Sequence, residues 1–220
     1  HYRDRRQRQM CIRDRLIVGE EELAEFPDNA REVSGIVLDL QSLPAMNDAE
    51  IEAILVSLSS HLSSSSLILL RDGADRVEGL FRLVVDLDLD GAIVSVATPG
   101  GGRAAAALPR IGLASRAMGL DTQGRIIGIE LEKQPSAEDL IIVRASGCSF
   151  VVGPIDEGNK VSDITETIIP EIVGIMKEAG LSNFHNVGRR ILRAKDMETA
   201  AISGLRLIGF ERPLPMWLGN

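Results

Sequence analysis

The sequence predicts an α/β protein: a partial (β/α)8 TIM barrel of about five parallel strands, with crossover helices and a helical C-terminal tail. Three observations lead there. Five short runs rich in Ile, Val and Leu recur along the chain, each bounded by Gly, Pro, Ser or Asp. The segments between them carry the helical rather than the strand period, and alternation of the two implies parallel strands joined by right-handed crossovers. Aromatic residues make up only 3% of the chain, so its core must be aliphatic, as in strands buried on both faces of a parallel sheet.

Taken in order, the first fifteen residues, HYRDRRQRQMCIRDR, hold six arginines and two aspartates with no apolar periodicity. They read as a non-native, adapter-like or disordered segment rather than a basic arm for nucleic acid, and they are set aside from the fold. On this reading the true N-terminus is missing. Residues 16–160 are expected to form the incomplete βα barrel, and residues 161–220 a helical tail packed on it.

The strand candidates are GIVLDL (35–40), LILLRD (67–72), GAIVSVA (91–97), RIIGIEL (125–131) and SFVVGP (149–154). Between the first two, NDAEIEAILVSLSSHL opens on an Asn/Asp cap with Glu50 in the first turn, and sets Ile51, Ile54, Leu55 and Leu58 on one face. DRVEGLFRLVVDLD stacks Val77, Leu80, Phe81 and Val84 in the same way. SAEDLIIVRAS starts a helix with Ser136 as cap, and Glu138 and Asp139 suit the positive end of its dipole. SDITETIIPEIVGIMKEAG reads as a long amphipathic helix capped by Ser162 or Asp163 and stopped by Gly180. The remainder looks like a short helical tail. SSSS (63–66) is a loop.

Composition excludes several function classes. The chain carries 24 Lys and Arg against 32 Asp and Glu, a net charge of −8, and six of its arginines lie in the segment set aside. So acidic a body argues against nucleic acid or an anionic membrane as partner. No apolar run is long enough to cross a bilayer. Two cysteines at unrelated positions give neither a disulfide framework nor metal-ligand spacing, so no metal site is expected and a cytoplasmic setting is the default.

The stretch VATPGGGRAAAALPR (96–110) is the chain's most unusual. A strand that ends in Gly100, Gly101 and Gly102 and passes into helix-forming alanines has the layout of an anion site. Glycines let the backbone come close to a phosphate, and free N–H groups at a helix start point toward it. Arg103 could add a positive charge. The bland alternative is a turn without a ligand, since neither G-x-G-x-x-G nor a P-loop lysine is present. Gly153, in VVGP, ends the last strand, and in a barrel the carboxyl ends of strands converge, so it could meet Gly101 at one rim. Asp39, Asp72, Glu130 and Glu132 lie near strand ends, with Glu130 and Glu132 on one side if their strand extends that far; acid–base work and plain solvation are both open. His61 and His185 read as surface or cap residues, and Cys148 as a buried structural thiol with Arg144 one helical turn earlier. The basic run GRRILRAKD (188–196) reads as a helix surface paired with neighbouring acids.

In their order and spacing these pieces resemble the second half of the FMN-binding (β/α)8 domain of the glutamate synthase family, from about Gly35 onward. LDLQSLPAMNDAEIEAILVSL is similar to the family's strand, proline-containing loop and following helix. SVATPGGGRAAAALPRIGL resembles the glycine segment after the family's sixth strand, and VVGPIDEGN falls where the eighth reaches the flavin phosphate. EIVGIMKEAGLSNFHNVGRRILRAKDMETAAISGLRLIGF looks like the closing helix and its Gly-Arg-Arg turn.

The resemblance implies FMN as cofactor, with Gly100, Gly101, Gly102 and Gly153 around its phosphate and Arg103 as the cation. It implies an oxidoreductase that forms glutamate, with reduced FMN passing electrons to an imine of 2-oxoglutarate. Three of the family's features are missing. Leucines and Arg71 stand where the family has a lysine beside the flavin; ELEKQ replaces an aspartate–glycine–glycine; and IDEGNKVSD lacks the cysteines of an iron–sulfur cluster. A non-catalytic barrel kept as a scaffold or partner-binding domain is therefore the rival reading. Catalytic residues cannot be assigned from this stretch. Five strands are too few to close such a barrel, so an upstream half or a second copy of the chain is expected to complete it.

Overall fold

The computed structural model describes residues 15–19, 23, 34–96, 104–155 and 161–212. Among them six strands follow one another in sequence order across a parallel sheet: β1 (Arg15–Val18), β2 (Gly35–Asp39), β3 (Leu67–Gly73), β4 (Gly91–Ser95), β5 (Ile126–Glu130) and β6 (Phe150–Val152). The helices are α1 (Asp48–His61), α2 (Val77–Asp86), α3 (Ala104–Ala117), α4 (Ala137–Ala145), α5 (Val161–Glu178) and α6 (Met197–Ser203). All five expected strands are present. The sixth, β1, reads RLIV, and begins at the last of the residues set aside. Four residues are too few for a periodic signal to emerge from sequence.

The chain divides into two compact units, residues 1–72 with 78–93, and residues 73–77 with 94–220. In the first, β2 pairs in parallel with β1 and β3, with Val37 opposite Ile17 and Leu69. Ile36, Leu38, Leu69 and Leu70 are fully buried, the continuous apolar pattern of strands covered on both faces. Helix α1 starts in a complete capping box: Asn47 Oδ1 accepts the Glu50 N–H at 3.0 Å, and Glu50 Oε2 accepts the Asn47 N–H at 2.8 Å. Of its predicted apolar face Ile51, Leu55 and Leu58 are buried and Ile54 half-buried. Leu80, Phe81 and Val84 of α2 are buried, as is Val77. Asp90 fastens β3 to the start of β4, its carboxylate accepting the Ile68 N–H at 2.9 Å while its own N–H donates to the Ile68 carbonyl at 3.1 Å.

In the second unit β5 runs parallel to β6, with Ile129 opposite Val151. Helix α4 repeats the capping device: Ser136 Oγ accepts the Asp139 N–H at 3.2 Å and Asp139 Oδ2 accepts the Ser136 N–H at 3.0 Å. Helix α5 lies against α4 through Met176, packed in one apolar cluster with Ile141, Ala145 and Val187. Gly180 ends it, at φ +69°, a left-handed conformation that costs glycine little. The Leu181 N–H then reaches back to the Met176 carbonyl at 2.8 Å. The start of α5 corrects the expectation: Ser162 and Asp163 lie inside the first turn rather than at the cap, because the helix is already formed at Val161. The tail holds 3-10 turns at Phe184–Asn186 and Arg189–Ile191, then α6, capped by Asp196.

Candidate site at the carboxyl ends of the strands

In the second unit the carboxyl ends of β4, β5 and β6 are held in register by the main chain. The Val96 N–H donates to the Glu130 carbonyl at 3.1 Å, and the Leu131 N–H to the Val152 carbonyl at 2.8 Å. β5 stands between β4 and β6, so the connection that leaves β4 and the one that leaves β6 depart from the same end of the sheet, one strand apart. The first connection contains Gly100, Gly101, Gly102 and Arg103, which lie outside the described residues. Immediately after them α3 begins at Ala104 and runs for 14 residues.

Gly153 is the first residue after β6. A Cβ built on it would come within 3.1 Å of the Lys133 carbonyl oxygen and 3.3 Å of Pro135 Cδ, so the loop after β5 sits directly over its backbone. A side chain there would be tight, and the loop would have to give by a few tenths of an ångström to admit it. Gly153 is also exposed, and among the described residues its N–H donates to no acceptor. A backbone donor at a strand end, kept bare by a glycine, is what an anionic group needs for close contact.

The paired carboxylates considered at β5 do not form. The strand stops at Glu130, which is half-buried, and Glu132 lies beyond it in an exposed bend. The ends of β2 and β3, in the first unit, are built differently. Asp39 and Arg71 stand opposite each other in the register, and Arg71 Nη1 meets Asp39 Oδ2 at 2.7 Å, with side chains 13% and 14% exposed. The Gln41 N–H donates to Asp39 Oδ1 at 3.2 Å, which closes the turn over the pair. Asp72, next along β3, is buried.

His61 ends α1 on the surface, and His185 is exposed in a 3-10 turn where Asn183 Oδ1 accepts its N–H at 2.9 Å. Cys148 is 1% exposed, and burial pushes its thiol up to about 12, with Arg144 pulling less strongly the other way. It is the inert structural thiol its context suggested. The basic run 188–196 corrects the sequence reading. It forms a 3-10 turn, and its arginines bond carbonyls rather than carboxylates: Arg189 donates to Ser203 O, and Arg193 to Arg190 O and Leu192 O.

Sequence reasoning missed two features. Asp39 and Arg71 were noticed separately; their equal offset from the starts of two neighbouring parallel strands could have paired them. Arg110 of α3 donates to the Ala74 and Asp75 carbonyls, each at 3.3 Å, and fastens the turn after β3. No local signal marks it. No group of three or more metal-ligating side chains occurs among the described residues, and none of their helices is long and apolar enough to cross a membrane.

Strands in sequential parallel order, with a helix after each of β2 to β6, define an α/β fold of the partial (β/α)-barrel type. Among solved structures the chain is similar to DHODH from Eimeria tenella, solved in complex with ferulenol. The two are 14% identical with a TM-score of 0.58, over 85% of this chain and 65% of that one. The similarity is one of fold, and this chain spans about 65% of that structure's length. A mandelate racemase/muconate lactonizing enzyme from a marine actinobacterium is a remoter match, 10% identical with a TM-score of 0.32 over 64% of this chain and 53% of that one. No protein-family profile and no curated protein matches the sequence.

Proposed function

We propose that this chain is part of an FMN-dependent oxidoreductase barrel, with the flavin phosphate held at the carboxyl ends of β4 and β6. The observation that carries the reading is the bare Gly153 amide, exposed at the end of β6 and one strand away from the connection that holds three consecutive glycines. A fold similar to DHODH, an FMN-dependent barrel oxidoreductase, supports it. The residues present fit a phosphate: the Gly153 N–H and the amides of Gly100, Gly101 and Gly102 would donate to its oxygens, and Arg103 would offset its charge. Bound there, FMN supplies electron transfer that no side chain of the site can perform. The chain's part is to orient it by its non-reacting end.

The finer reading places the chain with the glutamate synthase type. It rests on the resemblance of SVATPGGGRAAAALPRIGL and VVGPIDEGN to that family's phosphate-binding segments. A second reading, a barrel that serves as a scaffold without chemistry, is favoured by one contact. Leucines stand where the resemblance puts a lysine beside the flavin, and Arg71, the cation nearest to them in the sequence, is tied to Asp39.

Titration of the purified protein with FMN, followed by quenching of flavin fluorescence, tests these readings. Saturable binding is expected in the native chain. It should be lost in Gly153→Val and in Gly101→Val, with the far-UV spectrum of the latter unchanged. A native chain that folds and binds no flavin supports the scaffold. Glutamate formed from 2-oxoglutarate and an ammonia donor by the flavin-loaded protein supports the finer reading, and its absence removes it.

A further inference from the structure

A second site lies in the helical layer, away from the strand ends, in the unit that contains α3, α4 and the tail. There a cavity of about 160 Å³ is walled by Leu108 and Pro109 of α3, Ile142 of α4, and Leu192 and Leu205 of the tail. Gly112 brings α3 close to the end of α4, because a Cβ there would sit only 2.7 Å from the Ser146 carbonyl oxygen. The tail forms another wall, with Arg189 donating to the Ser203 carbonyl within it, and the cavity stays open to solvent.

Three arginines also line this cavity: Arg116, Arg189 and Arg193. Among the described residues no carboxylate does. In a chain of net charge −8 that is the reverse of the general surface. Among the described residues none of the three is ion-paired; the Arg189 and Arg193 side chains bond only carbonyls, and the Arg116 side chain makes no hydrogen bond. Each guanidinium has five N–H donors in a fork that matches a carboxylate or phosphate, so donors remain. All three side chains are exposed, so water screens their mutual repulsion, and what they offer an anion is a set of donors beside an apolar wall. The volume sets the size of the body that goes with the charge. A cavity of about 150 Å³ lined by aliphatic side chains takes a benzene ring.

We propose that this cavity binds a small amphiphilic anion: an apolar body about the size of a benzene ring, carrying one acidic group that meets Arg116 and Arg193. The site shares no residue with the flavin site and does not depend on it.

Calorimetric titration of the 220-residue protein with phenylacetate tests this, with phenyl phosphate as the alternative head group. Phenylacetamide controls for the charge and acetate for the body. Saturable binding of at least one of the two anions is expected, with the amide and acetate each weaker by about tenfold or more. Arg116→Gln and Arg193→Gln should each weaken the anion about tenfold, and Ile142→Trp, which fills the space, should abolish binding. FMN affinity should stay constant throughout. Absence of saturable binding overturns the proposal, as does equal binding of amide and anion. Because the exposed Arg116 side chain makes no hydrogen bond among the described residues, Arg116→Gln is the variant least able to act by unfolding, and unchanged affinity there also overturns it.

Discussion

Where β2 and β3 end, side chains finish the strands: Asp39 and Arg71 face each other at 2.7 Å and the turn closes over them. Where β6 ends, the described residues present the exposed backbone of Gly153, and the loop after β5 comes close enough that a Cβ there would be tight. The first arrangement satisfies its own polar groups and is complete without a ligand. The second leaves an amide with no acceptor among the described residues, a donor open to water or to a bound group. Parallel strands of one sheet thus end in a lock in one place and an opening in another, and side-chain content alone decides which.

The opening depends on β6 being fixed from its other end, and that anchor is neutral. Cys148, just before the strand, is buried, and burial holds its pKa near 12 against an ordinary value of 9.0. The folded chain therefore keeps a proton that the unfolded chain gives up above pH 9. The associated stability is fully present below that pH and is lost as pH rises toward 12. The loss runs at about 1.4 kcal/mol per pH unit, the largest effect expected here. Urea denaturation at several alkaline pH values, in the native chain and in Cys148→Ala, measures the slope by difference. An identical decline in both would show that the thiol is not shielded.

The lock is tested next. Arg71→Met leaves the Asp39 carboxylate half-buried without its cation and should cost about 1–3 kcal/mol, less than for a fully buried pair because solvent reaches both groups. Adding Asp39→Asn should return part of the loss, since the stranded charge is then gone. Additive costs in the double-mutant cycle would mean that the two side chains do not hold each other, and the contrast with β6 would fail. The same variants bear on the scaffold reading: an Arg71 that serves only as a lock leaves FMN affinity unchanged when it is replaced.

The lock and the opening differed in how readily sequence disclosed them, and the reason is physical. Strand runs such as GIVLDL and LILLRD, and the caps at Asn47 and Ser136, are local patterns with a fixed chemical cause, so they could be read directly. Gly153 was legible as a glycine at a strand end, but the reason for it, the Lys133 carbonyl and Pro135 above it, belongs to another segment. Asp39 and Arg71 are 32 residues apart, and only the parallel register joins them. β1 was missed because four residues do not repeat a pattern, and the basic run 188–196 was misread because it forms a 3-10 turn whose arginines reach carbonyls within it and at the end of α6.

The smallest effects give the finest comparison, since α1 and α4 begin with the same capping box in different surroundings. Asn47→Ala and Ser136→Ala each remove a side-chain acceptor for an N3 amide, and each should cost about 1 kcal/mol. The neighbourhoods then separate them. Asn47 follows the turn that covers Asp39 and Arg71, whereas Ser136 follows the 131–135 loop that presses on Gly153. Loosening the start of α4 frees that loop, so amide exchange across residues 131–135 should quicken in Ser136→Ala and FMN affinity should fall. In Asn47→Ala exchange should quicken only near α1, with FMN affinity unchanged. Equal stability losses with unequal flavin affinity would tie the opening at β6 to the loop above it; equal losses in both would mean that the loop merely covers the strand end.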